Sequence, residues 1–312
     1  MSKVSNFFKK ALIKILKNHD PLIPNKILKL IPITILEKIS DDTLKTIPIR
    51  GIVKNQLSNG KSLLMKSDGN DRIASLCFFK GIYGFEKETI TLFEKLLNNC
   101  KVFLDIGANI GFYSLFAALN DTDETIKIYA FEPVPVVFSR LKDNIQLNKI
   151  SNIQPINTAI NNYDGLVNLL IKQHDLSMPT LSRITSSSNQ KSLETITVKS
   201  LKIDTFVTRN DICQVDLIKI DIEGAEAKAI EGAKDVIQRD KPIIICEIGG
   251  KNRAKNIQQQ ISETVSYLCF LITDKGLIPI DKITNPSLRK YYNYLLVPKD
   301  KVSIINEIAL VL

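Results

Sequence analysis

One segment determines the architecture of this chain: residues 102–111 read Val-Phe-Leu-Asp-Ile-Gly-Ala-Asn-Ile-Gly, and Glu132 follows 21 residues after Gly111. The segment predicts a buried strand, a tight turn of small residues and the start of a helix. Glu132 directly follows the next apolar run, residues 128–131. A turn whose backbone N–H groups can approach a ligand, with a carboxylate one βα unit later, is typical of a nucleoside site at strand ends.

Two kinds of cofactor compete for such a site. The dinucleotide fingerprint needs a third glycine for close helix packing, and Phe112 occupies that position here. Asp105 ends the first strand, where its charge would repel a pyrophosphate but would suit the ammonium and sulfonium of S-adenosylmethionine. The pattern therefore favours S-adenosylmethionine, with Asp105 near its amino acid end and Glu132 accepting hydrogen bonds from both ribose hydroxyls. The alternative is an ordinary strand, turn and helix without a ligand.

The bulk composition is that of a globular protein and argues against a nucleic-acid groove. Hydrophobic residues make up 44% and charged residues 24% of the 312 residues, enough for a large core in one α/β domain with a smaller appendage. The net charge is +9, but residues 1–50, with ten basic and four acidic side chains, carry +6 of it. The basic character belongs mainly to this segment, and we expect no nucleic-acid partner.

The five scattered cysteines and two histidines form no recognisable metal-binding or disulfide pattern. Since the sequence has no C-x-x-C pair, we predict no structural zinc site and no disulfide framework, and we expect a reducing, cytoplasmic location. Clustered carboxylates could hold Mg²⁺, but no ligand spacing demands a metal. We recognise neither a signal peptide nor an apolar run long enough to span a bilayer.

The first fifty residues differ from the rest in composition. Residues 5–18 fit a basic amphipathic helix, with apolar side chains on one face and lysines on the opposite one. Such a helix could lie on an anionic membrane surface, at the inner face of the membrane. It could equally pack on the main domain or on a partner subunit. Four prolines interrupt residues 21–49, so we predict only short helices there.

The chain divides into three predicted parts: an N-terminal extension, 1–50; a small β meander, 51–85; and a main domain, 86–312. Glycine-containing turns at 58–60 and 68–71 separate the short β-type runs of the meander. From residue 102 onward, strand-like and helix-like segments alternate, which predicts a doubly wound α/β fold on a parallel sheet. A closing hairpin around 274–276 would add an antiparallel edge.

Residues that directly follow the predicted parallel strands are the candidates for a ligand site, because open α/β sheets bind ligands at that edge. The cofactor candidates follow the first three strands: Asp105, Gly107, Ala108, Asn109, Gly111, Glu132, Pro133, Asn157, Thr158 and Ala159. We expect residues 157–159 to meet an adenine edge. Asp221, after the fourth strand, is placed beside the methyl group and counts both as a cofactor contact and as a catalytic candidate.

Asp221 and Glu223 are the strongest catalytic candidates, because two carboxylates at a strand exit followed by Gly224 are poorly explained by packing. We predict that Asp221 orients or deprotonates the acceptor and that Glu223 and Glu247 shape the pocket. Glu223 could instead be an acidic residue at the start of a helix predicted over 223–238. Glu247 could instead form a salt bridge to a lysine.

A β-rich insert over 165–200 contains two further candidates. His174 is an alternative general base, although a single histidine in a polar loop is often only solvated. Ser182 could contribute to the wall of the cleft. We expect this insert and the 51–85 meander to set the acceptor specificity.

Five ordered motifs, FLDIGANIGFYSL, YAFEPVP, DNIQLN, LIKIDIEGAE and PIIICEI, resemble the FkbM family of S-adenosylmethionine-dependent methyltransferases. The similarity runs from about Gly81 to Pro298 and leaves residues 1–50 without a counterpart. The resemblance implies a class I, Rossmann-like methyltransferase fold, with a seven-stranded, mostly parallel sheet that contains one antiparallel strand. It implies O-methylation of a hydroxyl on a sugar, glycan or secondary metabolite. Asp105, Gly107, Asn109 and Glu132 match its cofactor site, and Asp221 and Glu223 its acidic motif.

Other functions stay open at this point. An NAD-dependent oxidoreductase or epimerase is disfavoured by Phe112 and Asp105. A non-catalytic, membrane-associated module that binds the cofactor is the third class. Methylation of nucleic acid is disfavoured because the fourth strand exit reads Asp-Ile-Glu-Gly, without the proline-rich tetrapeptide used for exocyclic amines. The acceptor, the catalytic base and the oligomeric state are not readable from the sequence.

Overall fold

The computed structural model describes residues 28, 31–36, 39–172, 183–184, 193–262, 266–283 and 291–305. The chain consists of two compact units, Met1–Lys87 and Glu88–Leu312. The amphipathic helix predicted over 5–18 lies outside the described residues. In the described parts of the chain, no helix has both the length and the apolar character needed to cross a membrane.

The first unit contains a hairpin and helices. Its elements are α1 (Ile33–Leu36), α2 (Asp41–Leu44), β1 (Arg50–Gln56), β2 (Ser62–Asp68) and α3 (Arg72–Lys80). The β meander expected over 51–85 is therefore wrong in its second half, where α3 replaces a strand. The physical reason is a helix N-cap: the Asp71 carboxylate accepts a hydrogen bond from the Ala74 N–H at 2.8 Å.

The second unit is built on an eight-stranded sheet. Its strands are β3 (Val102–Ile106), β4 (Lys127–Phe131), β5 (Ile153–Ile156), β10 (Leu217–Ile220), β11 (Ile243–Glu247), β12 (Tyr267–Thr273), β13 (Gly276–Ile280) and β14 (Asn293–Pro298). Their order in the sheet is β13-β12-β14-β11-β10-β3-β4-β5. Strands β5, β4, β3, β10 and β11 are parallel neighbours.

The antiparallel edge agrees with the predicted fold class. Strand β14 runs antiparallel to both β11 and β12. Strand β12 therefore runs parallel to β11 and to the other parallel strands. The resulting seven strands contain one antiparallel member, as predicted. Strand β13 pairs antiparallel with β12 through the turn before Gly276, which adds the eighth strand as the expected closing hairpin.

Helices connect the parallel strands. They are α4 (Lys87–Leu96), α5 (Phe112–Asn120), α6 (Pro135–Leu147), α7 (Ile203–Arg209), α8 (Glu226–Glu231), α9 (Lys234–Asp240) and α10 (Lys251–Ser262). The single helix predicted over 223–238 is wrong, because it begins only at Glu226 and breaks after Glu231. A Cβ at Gly232 would lie 2.1 Å from the carbonyl oxygen of Asn161. The backbone of residue 161 thus approaches too closely for a side chain at position 232, the C-cap residue at which helix α8 ends.

The insert between the third and fourth parallel strands is β-rich, as predicted. It forms a second sheet of order β6-β9-β7-β8, from β6 (Ala159–Ile160), β7 (Gly165–Lys172), β8 (Arg183–Ile184) and β9 (Leu193–Leu201).

The central strands of the main sheet are apolar on both faces because helices cover both sides. On one face, Leu104, Ile218 and Ile244 are fully buried. On the other, the ring of Phe93 from α4 lies 5.0 Å from that of Phe103. This rigid centre holds the ends of β3, β4, β10 and β11 in a fixed relation.

Candidate active site

The carboxyl ends of four neighbouring strands meet at one edge of the sheet. Ile106 of β3 aligns with Phe131 of β4 and with Ile220 of β10, and Ile220 aligns with Cys246 of β11. The residues at the next position along these strands are Gly107, Glu132, Asp221 and Glu247. Pairing register alone therefore brings together four of the predicted site residues. This edge is the ligand-binding edge of an open α/β sheet.

Gly107, in the loop after β3, packs directly against the segment that follows β10. Its φ is 84°, and a Cβ at this position would lie 2.0 Å from the carbonyl oxygen of Asp221. No side chain fits there, and the left-handed backbone also favours glycine. The close contact fixes the β3 exit against the β10 exit.

The backbone donors of the glycine-rich loop are already used inside the protein. The N–H groups of Gly107 and Ala108 both donate to the Phe131 carbonyl, at 3.0 and 2.9 Å, and Gly111 donates to the Ala108 carbonyl at 2.8 Å. We expected these donors to approach a ligand, and the structure differs on that point. A loop with few free N–H groups is poorly suited to a phosphate, which needs donors, and is compatible with a cationic group.

Glu132 is held by two backbone donors. Its Oε2 accepts a hydrogen bond from the Asn109 N–H at 3.1 Å, and its Oε1 accepts one from the Val134 N–H at 2.9 Å. Asn109 adopts a left-handed conformation with φ of 53° that supports this contact. Burial raises the pKa of Glu132 to about 7, although both hydrogen bonds oppose the rise. Each oxygen keeps a second lone pair, so the carboxylate can accept two hydroxyl hydrogen bonds.

The raised pKa makes a stability prediction for Glu132. Between pH 4.5, its ordinary pKa, and about 7, the folded protein holds a proton that the unfolded chain has lost. The contribution of Glu132 to the free energy of unfolding should therefore fall with rising pH, by about 3 kcal/mol in total. Urea unfolding of the wild type and Glu132→Gln from pH 4.5 to 8 should show this as a change in their difference. A pH-independent difference would contradict the prediction.

Asp105 is buried and anchors the start of α5. Its Oδ2 accepts hydrogen bonds from the Ser114 hydroxyl at 2.6 Å and from the Ser114 N–H at 3.1 Å. Burial raises the pKa of Asp105, while the positive charge of Lys219 and the Ser114 hydrogen bonds oppose the rise. Asp105 is therefore oriented by the protein itself, with Lys219 as its nearest countercharge.

Lys219 organises the acidic groups from within β10. Its Nζ donates to the Asp221 Oδ2 at 3.2 Å, and its side chain is only 4% exposed. The ammonium also lies 4.4 Å from the centre of the Tyr113 ring, in the range of a cation–π contact. Our sequence reasoning missed this residue. The sequence does indicate it: a lysine lies inside the apolar strand Leu-Ile-Lys-Ile, and a buried charge needs a partner.

Asp221 and Glu247 form a hydrogen-bonded carboxyl pair. Burial raises the pKa of Asp221, but Lys219 and the hydrogen bond with Glu247 outweigh it, so that the pKa lies below its ordinary value. The lowered pKa favours the ionised form of Asp221, so this carboxyl can accept a proton.

The segment after Asp221 is a tight turn, which explains why the helix starts late. Glu223 has a left-handed φ of 53° and Gly224 a φ of 117°. The Gly224 N–H donates to Oε1 of Glu226 at 2.7 Å, and the Glu223 carbonyl accepts a hydrogen bond from Nη2 of Arg253 at 3.1 Å. Glu223 therefore belongs to a turn at the strand exit and lies outside helix α8. Arg253 is the second residue that sequence reasoning missed, because α10 carries it in from 30 positions away.

The residues after β5 support the neighbouring loop. The Asn157 side-chain amide donates to the carbonyls of Glu132 and Pro133, at 2.8 and 3.0 Å. The Thr158 N–H donates to the Ile156 carbonyl, and Ala159 begins β6. Asn157 thus fixes the loop that carries Glu132. The contact of residues 157–159 with an adenine edge stays a prediction, and His174 and Ser182 lie outside the described residues.

The part of the chain that contains these strand exits also matches a known protein family. The profile of the family described as "Methyltransferase FkbM domain" matches residues 105–276, more than half of the chain. This range includes every strand end described above.

Individual relatives are distant. Over 179 residues the chain is 23% identical to the hexuronic acid methyltransferase AglP of Haloferax volcanii, covering 57% of this chain and 68% of that protein. It is 26% identical over 146 residues to methyltransferase 1 of Beauveria bassiana, covering 42% of this chain and 58% of that one. A crystal structure of a methyltransferase FkbM from Methylobacillus flagellatus KT matches with a TM-score of 0.41 and 18% identity, over 64% of this chain and 43% of that one. The chain thus spans less than two thirds of the length of the last two.

Proposed function

Because the chain belongs to the FkbM methyltransferase family, we propose that it transfers the methyl group of S-adenosylmethionine to a hydroxyl of a sugar, glycan or secondary metabolite. The observation that carries the proposal is the Asp221 carboxyl at the β10 exit, whose pKa lies below its ordinary value. It is bonded to Lys219 and Glu247, and its backbone carbonyl lies against Gly107. A carboxylate held in this way can orient a hydroxyl and accept its proton.

The residues at the edge of the sheet fit the proposed cofactor. Both oxygens of Glu132 are pre-oriented by backbone N–H groups and can accept two vicinal hydroxyls. Four N–H groups of the glycine-rich loop, those of Gly107, Ala108, Asn109 and Gly111, donate within the protein, which disfavours a pyrophosphate and hence NAD. The buried Asp105 lies on the strand that leads into the same loop. When bound, S-adenosylmethionine supplies an electrophilic methyl group.

The protein's part in the reaction is to align and deprotonate the nucleophile. A neutral hydroxyl attacks poorly, so a base that takes its proton during attack lowers the barrier. Lys219 orients Asp221 through a hydrogen bond and lowers its pKa. Glu247 contacts the same carboxyl and helps to position it. Correct alignment of the hydroxyl supplies the rest of the acceleration.

A sugar is the acceptor class that the relatives support best. AglP is named as a hexuronic acid methyltransferase and shares 23% identity with this chain. The insert sheet β6–β9 follows β5, and we expect it to line the acceptor side. Peripheral membrane contact through residues 5–18 and a cytoplasmic location remain predictions.

Two measurements test the proposal. Calorimetric titration should show binding of S-adenosylhomocysteine and none of NAD. Mass spectrometry of glycans and metabolites from producer cells with and without the gene should show one species that lacks a methyl group in the deletion strain. Binding of NAD alone would contradict the methyltransferase assignment, and binding of S-adenosylhomocysteine without any change in methylation would point to the non-catalytic module.

A further inference from the structure

The guanidinium of Arg253 lies at the exits of two central strands. Arg253 is in the first turn of α10, which begins four residues after the end of β11. A Cβ at Gly224 would lie 3.0 Å from its Cζ and Nη2, and a Cβ at Gly249 would lie 3.4 Å from its Nη1. The guanidinium therefore lies against the backbone of both exits.

Among the described residues, the structure gives Arg253 one hydrogen bond. Its Nη2 donates to the Glu223 carbonyl at 3.1 Å. Within the described parts of the chain, no carboxylate forms an ion pair with it. The positive charge of Arg253 opposes the rise in pKa that burial gives to Glu226. The Glu226 carboxyl is nevertheless buried and accepts a hydrogen bond from the Gly224 N–H. Arg253 itself is half-buried. A guanidinium carries several donors in a planar fork, so one backbone bond leaves a donor set for a ligand.

The charges around Arg253 indicate what that ligand needs. Near these strand exits the Asp221 carboxyl has a lowered pKa, whereas burial raises the pKa of Glu132 and of Asp105. A carboxylate on the acceptor would need a cation to bind it. Lys219 cannot do so, because it is buried and paired with Asp221. Arg253 is then the cation in position to compensate the charge.

We propose that Arg253 binds a carboxylate of the methyl acceptor, so that the protein selects acidic sugars or hydroxy acids over their neutral counterparts. This inference rests on the proposed function and adds the acceptor class and the residue that selects it. Guanidinium and carboxylate match in a bidentate geometry, which gives discrimination as well as affinity. The position of Arg253 beside the Asp221 turn would hold the acceptor near the proposed base.

Pairs of probes that differ only in charge test the proposal. Methyl β-D-glucuronoside and methyl β-D-galacturonoside are compared with their uronamides, in which an amide replaces the carboxylate. Binding to the protein saturated with S-adenosylhomocysteine is measured by ligand-observed NMR, and methyl transfer from S-adenosylmethionine is measured by mass spectrometry. We expect at least one acid to bind about tenfold or more tightly than its amide.

Three variants separate recognition from folding. Arg253→Met should raise the KM for the acid about tenfold or more, leave kcat less affected and abolish the preference over the amide. Arg253→Lys keeps the charge and a donor for the Glu223 carbonyl but loses the fork, so part of the preference should return. Lys255→Met is the matched control, because this exposed lysine lies on the same helix and should have no effect.

The outcomes distinguish this inference from the proposed function. If the protein does not bind S-adenosylhomocysteine, the proposed function is wrong. If S-adenosylhomocysteine binds and the acids bind no better than their amides, or not at all, the role of Arg253 is wrong while the cofactor assignment stands. An equal loss of acid and amide binding in Arg253→Met, together with weaker S-adenosylhomocysteine binding, would show a purely structural residue.

Discussion

Replacement of Asp221 by asparagine should lower kcat for methyl transfer by about two to four orders of magnitude, the usual contribution of a positioned base. Asparagine keeps the size of the side chain but cannot accept a proton. It also leaves the buried Lys219 without its carboxylate partner, so some loss of stability should accompany the loss of turnover. The measurement is the single-turnover rate, with the affinity for S-adenosylhomocysteine determined in parallel.

Asp123→Asn is the control for Asp221→Asn, because Asp123 is exposed between α5 and β4, away from the strand exits. It should leave turnover and affinity unchanged. Full turnover in a folded Asp221→Asn protein with unchanged cofactor affinity would remove the proton-transfer role of Asp221. The reaction would then rest on alignment alone.

Replacement of Gly107 by alanine should destabilise the protein by about 3 kcal/mol or more and abolish binding of S-adenosylhomocysteine. The added Cβ would meet the Asp221 carbonyl oxygen at 2.0 Å, and that atom is backbone that cannot rotate away. The exits of β3 and β10 would have to separate, which displaces both the loop to Asn109 and the Asp221 turn. Thermal unfolding and calorimetric titration measure the two effects.

Gly60→Ala is a matched control for this prediction. Gly60 has the same φ of +84°, but within the part of the chain that the structure describes nothing lies within 4 Å of an added Cβ. Its substitution should cost only about 1 kcal/mol, the strain of a left-handed alanine. Similar losses for the two variants would show that backbone strain, and not the contact with Asp221, makes Gly107 necessary.

The fold was largely predictable because buried parallel strands are read directly from apolar runs. The strand predicted at the start of residues 102–111 is β3, and the apolar run 128–131 falls within β4. Predictions of helices and strands from local sequence were wrong at the positions described next. Helix α8 ends at its C-cap residue Gly232, where the Asn161 carbonyl packs against the backbone, and Asp71 caps helix α3 where a meander was expected.

The candidate site was predictable in its residue types but not in its bonding. The position of Glu132 one βα unit after the glycine-rich turn predicted a ligand-binding carboxylate. That its oxygens accept the Asn109 and Val134 N–H groups depends on two backbone segments that meet only in the folded chain. The same holds for Lys219 and Arg253, whose partners come from other strands and helices.

The sequence by itself determined the α/β class, the order of the parallel strands along the chain and the acidic residues that end them, because hydrophobic period and turn chemistry are local. Only the tertiary structure decided which of these residues touch. Strand register brought Gly107, Glu132, Asp221 and Glu247 to one edge, close packing made Gly107 obligatory, and the neighbouring Lys219 lowered the pKa of Asp221. Contact, burial and charge depend on three-dimensional neighbours, and spacing along a chain does not encode them.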